Sequence, residues 1–561
     1  MFLAELKIKN FRKIENLTIK FKKGLNIIIG PNNIGKTAVV DALRALLTWQ
    51  EETFPRFNPD DIHAGSHTTE FSFQYLFTDL SPEEEAEFLP ALVPQMNGSF
   101  DAVFTIRYYL NDTGEYLKAK RWCGKFEDNA ISVEMFENLY AIYLQPLRDV
   151  IQGLKPNRLS KQARLLNHIT SDKDKEALNE LLKIQDNTLQ ENETIKRVQG
   201  LICTQHMKML GNELSQDLKL GINGSDLNKL VSRLALAVDD LDIDRNGLGY
   251  GNLIFMAIVL SELSERSDTL YKTVLIEEPE AHLHPQLQYV LLEYLKSIDY
   301  KNDEINQIFV TSHSSNFVCK ADVDSLICMY ENDKKIHSKA VREISIDSRQ
   351  KRKLERYLDV TRSELFFAKK ILFVEGIAEQ ILLKPLAKKL NYDLDKLGIT
   401  VVNVEGINFG AFLPLFGENA LRVPVAVLTD SDPGTCIYPT KEEVVYPKNK
   451  SSLEKLENFY VKVYFARKTF EYDLALEEQN IRVLLSALEL IHPGIASKLQ
   501  EKIDNTGDLN IPMEFFKCVF QDHDTRKGEY AQALAEVIGD SDFVIPEYIQ
   551  KALAYLLTNK N

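Results

Sequence analysis

The chain opens with two segments in which apolar and polar residues alternate, a pattern typical of β-strands with one buried face. The second segment ends in the apolar run GLNIIIG at 24–30, which predicts a buried strand. The glycine-rich stretch GPNNIGKT at 30–37 follows, and AVVDALRALL then repeats its apolar residues at helical spacing. The order of strand, glycine-rich loop and helix predicts a phosphate-binding P-loop.

The residue types of this loop suit ATP. Glycines let backbone N–H groups curl around phosphates, and the helix N-terminus adds positive potential. Lys36 is expected to reach the β- and γ-phosphates, and Thr37 to bind Mg²⁺. The alternative is a chance glycine-rich turn, which the flanking strand and helix disfavour. The predicted ATP-binding residues here are Gly30, Asn32, Asn33, Gly35, Lys36 and Thr37.

A second apolar strand far downstream ends in two carboxylates, in TVLIEEPEAHLHP at 273–285. This is a Walker B arrangement, in which Glu277 is expected to hold the Mg²⁺ shell. Glu278 is expected to orient or deprotonate the attacking water, and Glu280 is interpreted as the start of the next element.

The two histidines that follow the Walker B acids, His282 and His284, alternate as metal ligands can. Their position between Ala281 and Pro285 favours a subunit-facing loop instead.

Three further segments resemble ABC ATPases by their order along the chain. His313 follows the apolar strand 307–310 and resembles the switch histidine that contacts the γ-phosphate, with a capping histidine in a turn as the alternative. Gly247 and Gly249 precede an apolar helix and resemble the signature loop, which contacts ATP on a partner subunit. The usual serine is missing, so a glycine-rich helix start stays an alternative. Gln145 resembles the Q-loop residue that reaches Mg²⁺, or marks an ordinary strand-to-turn transition.

The segment between the P-loop and the signature is an insertion of modest length. SMC, RecF and related ATPases interrupt their heads at this position. Residues 155–240 show helical periodicity without the sustained heptads of a coiled-coil arm. A compact dimerisation or clamp domain is therefore expected, with a homodimer as the minimum assembly.

Acidic residues gather where three predicted strands of the second half end, at 370–374, 425–429 and 462–466. Open α/β sheets place their sites at the carboxyl ends of their strands. Carboxylates without imidazole or thiolate suit Mg²⁺ or Mn²⁺, and paired ions support in-line attack on a phosphodiester. For any single acid, a solvated loop carboxylate or a helix cap is the alternative. The acids are Glu375, Glu379, Asp430, Asp432, Glu471 and Asp473.

The length, net charge and cysteine content of the chain limit the classes of protein to which it can belong. A length of 561 residues predicts several domains, and no apolar run approaches a membrane helix. The net charge of −15 argues against a protein that simply coats DNA, although basic strips at 7–23, 155–164 and 349–353 could contact it or be solvated faces. Six scattered cysteines with no CxxC pair predict neither disulfides nor zinc. The N-terminal segment lacks signal-peptide features, so a cytoplasmic location is expected.

The buried strand with its Glu-Gly turn and the later Asp-x-Asp strand resemble Toprim, a fold shared by topoisomerases, primases and some nucleases. With the upstream head, the chain resembles the OLD (overcoming lysogenization defect) family, which includes the nuclease subunit of the Gabija anti-phage system. The resemblance covers nearly the whole chain. The motifs that carry it, in order, are GPNNIGKT, VLIEEPEAHLHP, TSHSSNF, ILFVEGIAEQ, LTDSD and TFEYDLA.

The resemblance implies an α/β fold in which an ABC-type P-loop head with a helical insertion precedes a Toprim domain and C-terminal helices. The expected parts are 1–150 and 241–345 for the head, 151–240 for the insertion, 346–480 for Toprim and 481–561 for the C-terminal helices.

The resemblance also implies two-metal cleavage of DNA. Lys527 matches a family lysine that assists cleavage, with an exposed helix-start lysine as the alternative. Glu375 is expected to act in catalysis as well as to bind metal. The implied metal ligands are Glu375, Glu379, Asp430, Asp432 and Glu471, with Asp473 as the weaker candidate and their division between the metals open.

ATP binding is expected to pair or reorient the heads and thereby to control the access of DNA to the acids, with the sign of control open. Phage defence and a helicase-type partner encoded nearby are implied by the resemblance alone. Two other classes stay open: a non-nucleolytic ATP-gated DNA-binding or recombination protein, and a Toprim topoisomerase-like enzyme or primase. The lack of a zinc-ligand module disfavours the primase hypothesis.

Overall fold

The structure is a computed structural model of the chain. It describes residues 1–49, 54–65, 67–96, 98–146, 160–211, 216, 218, 236–238, 241–242, 247–266, 269–281, 283–298, 300, 305–434, 436–443, 445, 447, 450–505, 510–539 and 541–558.

The N-terminal part of the head contains an antiparallel sheet and the first strands of a mostly parallel one. Its strands and helices are β1 (Phe2–Phe11), β2 (Ile14–Lys20), β3 (Gly24–Ile29), α1 (Lys36–Leu47), β4 (Glu70–Thr78), α2 (Pro82–Glu87), β5 (Leu92–Pro94), β6 (Phe100–Leu110), β7 (Leu117–Cys123), α3 (Val133–Glu137) and β8 (Leu139–Leu144).

The insertion is mainly helical where it is described, with a short strand near its end, and the head resumes after it. These elements are α4 (Lys161–Ile169), α5 (Asp172–Gln190), α6 (Glu193–Leu210), β9 (Ala237–Val238), β10 (Leu241–Asp242), α7 (Leu248–Ser264), β11 (Tyr271–Glu277), α8 (Pro285–Ser297), β12 (Gln307–Ser312), α9 (Ser315–Val318), β13 (Leu326–Asn332) and β14 (Lys335–Ala340).

The mostly parallel sheet brings the distant motifs of the head together. Its strand order is β14-β13-β3-β12-β11-β8, and β3, β12, β11 and β8 all run parallel. Because parallel strands end at the same edge, the loops that follow these four strands are neighbours. The P-loop, the Walker B acids, His313 and Gln145 therefore meet at one edge.

The helix α1 lies between the two sheets of the head. Its apolar side chains, among them Val39 and Leu43, share one hydrophobic core with Phe73 of the antiparallel sheet and Phe309 of the parallel sheet. Burial on both sides explains why nearly every residue of α1 is buried. The P-loop is thus anchored by a helix that is held from two directions.

The second half of the chain forms a smaller parallel sheet covered by helices. Its elements are α10 (Ser348–Tyr357), β15 (Lys370–Val374), α11 (Ile377–Lys389), β16 (Ile399–Asn403), β17 (Val425–Thr429), α12 (Lys450–Glu454), β18 (Val461–Phe465), α13 (Phe470–Leu476), α14 (Ile481–Ile491), α15 (Pro493–Asn505), α16 (Ile511–Phe516), α17 (Lys527–Val537) and α18 (Glu547–Thr558).

This second sheet has the order β16-β15-β17-β18, with all neighbours parallel. The C-terminal helix α18 packs directly on β17 and β18, and α17 packs on α11. Apolar residues of α11 and α17, such as Leu382 and Leu534, share one core with Leu488. The expected α/β fold, with an ATPase head, a Toprim domain and C-terminal helices, is confirmed.

The head and the Toprim domain share a continuous hydrophobic core. One cluster contains Leu326 of the head, Leu354 of α10 and Phe373 of β15. Across the joint, the Asn332 side-chain amide donates a hydrogen bond to the Arg422 carbonyl at 3.1 Å. A boundary near 346 falls between β14 and α10, but the core is not interrupted there.

Among the helices that the structure describes, none is long and apolar enough to cross a membrane. All six cysteines lie in described parts of the chain as free thiols.

Candidate active sites

The backbone of the P-loop is held in conformations that favour glycine. Gly30 has φ 151°, Asn33 has φ 62° and Gly35 has φ 99°. A Cβ atom at Gly30 would lie 2.3 Å from the carbonyl oxygen of Met329, closer than real contacts allow. The loop therefore curls as an anion-binding turn requires.

Lys36 lies at the centre of this loop and is only 5% exposed. Its ammonium group donates to the carbonyl oxygens of Gly30 at 2.6 Å and Pro31 at 2.8 Å. Burial lowers the pKa of Lys36 to about 8, against the opposing effect of Glu278 and Glu280. The lysine is thus placed to exchange two loop carbonyls for the oxygens of an anionic ligand.

A pocket of about 290 Å³ opens beside Lys36, and its lining includes Asn33, Thr37 and His313. Arg12 also lines it and is held by Asp41 and Asp61, each 2.8 Å from the guanidinium.

The buried Walker B carboxylate Glu277 is held by two hydroxyl groups. The Tyr143 hydroxyl donates to it, and the Thr37 side chain forms a second hydrogen bond. Burial raises the pKa of Glu277. The ring of Tyr143 stacks under the Arg44 guanidinium at 3.9 Å. This places the carboxylate beside the predicted Mg²⁺-binding threonine.

Glu278 and His313 contact each other at the mouth of the pocket. The His313 Nε2 atom lies 3.1 Å from a carboxylate oxygen of Glu278, whose backbone has the positive φ of 44°. Burial and the neighbouring Lys36 lower the pKa of His313, which favours the neutral ring. His313 lines the pocket, and its contact with Glu278 places that carboxylate next to it.

Glu280 does not begin the next element, because α8 starts only at Pro285. It is half-buried, and one of its carboxylate oxygens accepts hydrogen bonds from the Ser312 hydroxyl at 2.8 Å and the His313 backbone N–H at 2.7 Å. Glu280 thus fixes the turn that carries the histidine.

The remaining candidate residues for the ATP site are Gln145, Gly247 and Gly249. Gln145 directly follows β8, where Leu144 is paired with Ile276, so it lies beside Glu277. Gly247 caps α7 and Gly249 lies in its first turn, and neither is among the described residues that line the pocket.

The histidines after the Walker B strand show no metal site in the described chain. His284 caps α8, with its Nδ1 accepting from the Gln286 N–H at 3.4 Å, and His282 lies outside the described residues.

The second site lies at the carboxyl edge of the Toprim sheet. Glu375 follows β15 and Asp430 follows β17, which is the neighbouring strand. A carboxylate oxygen of Glu375 accepts a hydrogen bond from the Asp430 backbone N–H at 2.8 Å and another from the Thr429 hydroxyl. Glu379 lies in the first turn of α11, and Glu471 in the first turn of α13. We call Glu375, Glu379, Asp430 and Glu471 the carboxylate cluster.

Neighbouring carboxylates of the cluster help to raise the pKa values of Glu379 and Asp430. Burial raises the pKa of Glu379 to about 7, with Glu471 and Glu375 adding to the effect. Burial and then the charges of Glu471, Glu375 and Glu379 raise the pKa of Asp430 well above its usual range. Like charges in a poorly solvated site disfavour ionisation, so Glu379 and Asp430 keep their protons to higher pH than ordinary carboxyl groups do.

Lys527 contributes a cation to this cluster from the first residue of α17. Its ammonium lies 2.9 Å from a carboxylate oxygen of Glu471. Burial lowers the pKa of Lys527, but Glu471, Asp430 and Glu379 outweigh it and raise the pKa above the ordinary value. The structure thus brings Lys527 together with the acids, although about 150 residues separate it from Glu375.

The other two candidate acids lie outside this group. Asp432 is exposed, with φ 45°, and its charge raises the pKa of Glu375, so it stands at the rim. Both oxygens of Asp473 accept backbone N–H groups, from Arg467 at 2.8 Å and Lys468 at 3.1 Å. The structure therefore gives Asp473 a role in fixing the loop before α13.

The donor set fits a hard divalent cation by its chemistry, because all its members are carboxylates. Within the described residues, however, no three His, Cys, Asp or Glu side chains already converge as a metal-binding group. Glu471 is engaged by Lys527, and Glu375 by Thr429 and the Asp430 N–H. Cation binding would therefore require these two side chains to reorient.

Two residues of the sites were not identified from the sequence. Tyr143 holds Glu277, and it stands two positions before Gln145, so strand alternation could have placed both on one side. Thr429 holds Glu375, and its position directly before Asp430 was the available signal.

Comparison with known proteins gives two family matches. The AAA ATPase domain matches residues 1–134 and 98–318, and the "Overcoming lysogenization defect protein-like, TOPRIM domain" matches residues 366–432. The first match spans the P-loop, the Walker B acids and His313. The second contains Glu375, Glu379, Asp430 and Asp432.

Curated relatives align over most of the chain. An OLD nuclease of Thermus scotoductus is 26% identical, with 78% of this chain and 83% of the relative covered. An endonuclease GajA of Bacillus cereus is 25% identical, with 77% and 75% covered. The solved C-terminal region of the Burkholderia pseudomallei OLD protein is 29% identical, covers 34% of this chain and 97% of that one, and has a TM-score of 0.26.

Proposed function

The chain belongs to the AAA ATPase domain family and, with its OLD-like TOPRIM domain, to the OLD nucleases, and from this premise we propose that its carboxylate cluster cleaves DNA under the control of the ATPase head. It is an endonuclease with an ATPase domain, and it uses ATP and a divalent metal. The metal is proposed to be Mg²⁺ or Mn²⁺, bound as two ions. When bound, such ions stabilise the attacking and leaving oxygens of an in-line displacement.

The observation that carries the proposal is the convergence of four carboxylates and one lysine at the carboxyl edge of the Toprim sheet. Glu375, Glu379, Asp430 and Glu471 are proposed as metal ligands, with Asp432 joining them from the rim. Burial and neighbouring carboxylates raise the pKa values of Glu379 and Asp430, which indicates a site that favours cations. Lys527 is proposed to stabilise the negative charge that develops on the phosphate during cleavage. Asp473 is retained only as the weakest ligand candidate, since both its oxygens are engaged.

ATP is proposed to bind at the P-loop pocket. Lys36 would bind its phosphates, Thr37 and Glu277 its Mg²⁺, and Glu278 would orient the attacking water. Gln145 and His313 lie at the same edge and are proposed to complete the site. Gly247 and Gly249, which do not line the pocket in their own chain, are proposed to reach the nucleotide of a second copy.

A homodimer or a larger homo-oligomer is proposed to form through the helical insertion. The described side chains of α6 include none that is buried. Apolar side chains are exposed on both α5 and α6, with Ile184 at 62%, Leu201 at 64% and Met209 at 82%. A second copy that covered these side chains would bury them, which favours association.

A role in anti-phage defence is proposed from the likeness to the GajA endonucleases, together with a helicase-type partner protein. The free thiols of the six cysteines support a reducing compartment, and the cytoplasm is proposed.

The first experiment follows supercoiled plasmid with the purified full chain, Mg²⁺ or Mn²⁺, and ATP present or absent. Wild type is expected to give nicked or linear product only with the metal. Asp430→Ala/Asp432→Ala is expected to lower the cleavage rate by about 10³-fold, because charge stabilisation at the reacting phosphate is lost.

The matched control is Asp393→Ala/Asp395→Ala, which removes an Asp-x-Asp pair from the surface of the same domain. Asp395 pairs with Lys384 at 2.8 Å, away from the carboxylate cluster. Equal loss of cleavage in both double variants would indicate a general effect on the fold. A wild type that binds DNA but never cleaves it would favour the ATP-gated binding protein, and a covalent protein–DNA product would favour a topoisomerase.

A further inference from the structure

The helix α10 carries a dense basic face in a chain of net charge −15. Arg349, Arg352, Lys353 and Arg356 follow the spacing that places residues on one side of a helix, and all four are exposed. We call these four residues the basic face. Together with Tyr357 they line a surface pocket of about 680 Å³. On the opposite side, Leu354 is fully buried and anchors the helix in the core.

Three carboxylates near this helix are already paired with other cations. Asp324 lies 2.6 Å from Lys351, which belongs to α10 but not to the basic face. Asp359 and Glu405 lie 3.0 Å and 2.8 Å from Arg362. In the part of the chain that the structure describes, no ion pair joins the basic face to a carboxylate. Its positive charge is therefore available to an external anion.

A short series of hydrogen bonds connects α10 to the carboxyl edge of the Toprim sheet. The Arg362 guanidinium donates to the carbonyl oxygen of Tyr357 at 3.1 Å and to that of Asn403, the last residue of β16, at 2.9 Å. In the loop after β16, the Gly406 N–H donates to the carbonyl oxygen of Glu375 at 2.7 Å. The basic face is thus carried by a helix that is braced against the sheet edge bearing the carboxylate cluster.

We propose that the basic face of α10 binds the phosphodiester backbone of the DNA whose scissile bond is presented to the carboxylate cluster. This inference rests on the proposed nuclease function. Phosphate contacts fix the position of a duplex without reading its sequence, and arginine side chains match phosphate oxygens with two parallel hydrogen bonds. A cluster of acids repels DNA, so a neighbouring cationic surface supplies attraction that the acids do not.

The length of the face sets the number of contacts. From Arg349 to Arg356 the helix rises by about 10 Å, at 1.5 Å per residue. One DNA strand presents a phosphate about every 3.4 Å along the duplex axis. The face is therefore long enough to contact about three phosphates of one strand.

The test is a salt titration of DNA binding by the full chain, with a fluorescent duplex oligonucleotide and EDTA to prevent cleavage. The variant is Arg352→Ala/Lys353→Ala/Arg356→Ala, in which alanine preserves the helix and Leu354 keeps its anchor. The plot of log K against log salt is expected to become shallower by about 2.7, since each phosphate contact contributes about 0.9 to the slope. Affinity near 0.1 M salt is expected to fall on the order of 10²-fold.

The matched control removes the same charge elsewhere, as Lys125→Ala/Lys388→Ala/Lys498→Ala, from three exposed lysines on other elements. The control is expected to keep the wild-type slope, and both variants are expected to keep wild-type ATP hydrolysis. An unchanged slope in the α10 variant, or an equal change in the control, would overturn the inference. If wild type cleaves plasmid and the α10 variant binds and cleaves equally well, the inference fails while the nuclease function stands. If wild type neither binds nor cleaves DNA, both fail.

Discussion

At the P-loop the groups that face the ligand are mostly backbone atoms, fixed by positive φ angles at Gly30 and Gly35, whereas at the Toprim edge they are side-chain oxygens of like charge. The loop conformation is maintained by steric limits that do not depend on the ligand. The conformation of the carboxylate cluster depends on how its charge is neutralised. One site is therefore preformed, and the other is expected to be completed by a divalent cation.

One lysine from each site, Lys36 and Lys527, shows the same contrast. Lys36 donates to two carbonyl oxygens of its own loop, and burial lowers its pKa to about 8. Lys527 donates to a carboxylate, and the surrounding acids raise its pKa. The ammonium of Lys36 is therefore held by uncharged carbonyl groups, whereas the ammonium of Lys527 partly neutralises a group of carboxylates.

The continuous core between the two regions limits how they communicate. Leu326, Leu354 and Phe373 belong to one hydrophobic cluster that crosses from the head into the Toprim domain. A free hinge at this joint would expose these side chains to water, at a cost of about 2 kcal/mol for each. In the proposed homo-oligomer, ATP is therefore expected to move whole protomers relative to each other.

The largest expected effect is at the preformed site. Lys36→Ala is expected to lower ATP hydrolysis by about 10³-fold, because the main cation for the phosphates is removed. Plasmid cleavage with metal is expected to persist and to become independent of ATP. Phosphate release and cleavage, each followed with and without ATP, test this, with Lys125→Ala as the surface control. A Lys36→Ala variant whose cleavage still responded to ATP would separate nucleotide control from this pocket.

The next largest effect is at Lys527. Lys527→Met is expected to lower the cleavage rate by about 10²-fold, since a donor to the developing charge is lost. Lys527→Arg is expected to recover part of the rate, because it keeps the charge. Cleavage is measured at increasing Mg²⁺ up to saturation. If saturating Mg²⁺ restored the full rate of Lys527→Met, the lysine would only neutralise Glu471.

Much of both sites could be predicted from the sequence because each motif lies at the end of a buried strand. GPNNIGKT, the Walker B acids and His313 follow three parallel neighbours, and Glu375 and Asp430 follow two more. An apolar run followed by polar residues is visible locally, and parallel pairing then brings the ends together. The order of motifs therefore predicted which groups meet.

The parts that could not be predicted depend on side-chain direction and on contacts between distant residues. Glu471 and Asp473 are two positions apart, which would place them on one side of a strand but puts them on different sides of the helix α13. Only Glu471 consequently reaches Lys527. Glu280 supports the His313 turn through contacts that span 33 positions along the chain, and no local pattern indicates them.

A smaller effect is expected at Tyr143, whose side chain helps to hold Glu277 in the preformed site. Tyr143→Phe removes the hydroxyl that donates to Glu277 but keeps the ring beneath Arg44. A hydrogen bond to a charged group contributes about 1.5 kcal/mol or more, so ATP hydrolysis is expected to fall by about 10-fold. The control is Tyr271→Phe, whose hydroxyl donates to Gln307 at 2.6 Å within the same domain. Steady-state phosphate release compares the two, and equal activity of both variants would show that the hydroxyl does not support Glu277.

The smallest effect is a fraction of a proton at the carboxylate cluster, and it tests directly whether cations complete this site. Burial and Glu471 raise the pKa of Glu379 from the ordinary 4.5 to about 7. The fold thus favours the neutral carboxyl, so the metal-free protein is expected to lose stability as the pH rises from about 4.5 to about 7.

A bound cation requires the ionised form, so Mn²⁺ binding at pH 7 is expected to release about half a proton from Glu379. Calorimetric titrations in two buffers of different ionisation enthalpy measure this release, and Glu379→Gln is expected to lower it by that amount at pH 7 and by much less at pH 8.5. Equal release from both proteins at pH 7 would mean that Glu379 is already ionised, and the cluster would then be as preformed as the P-loop.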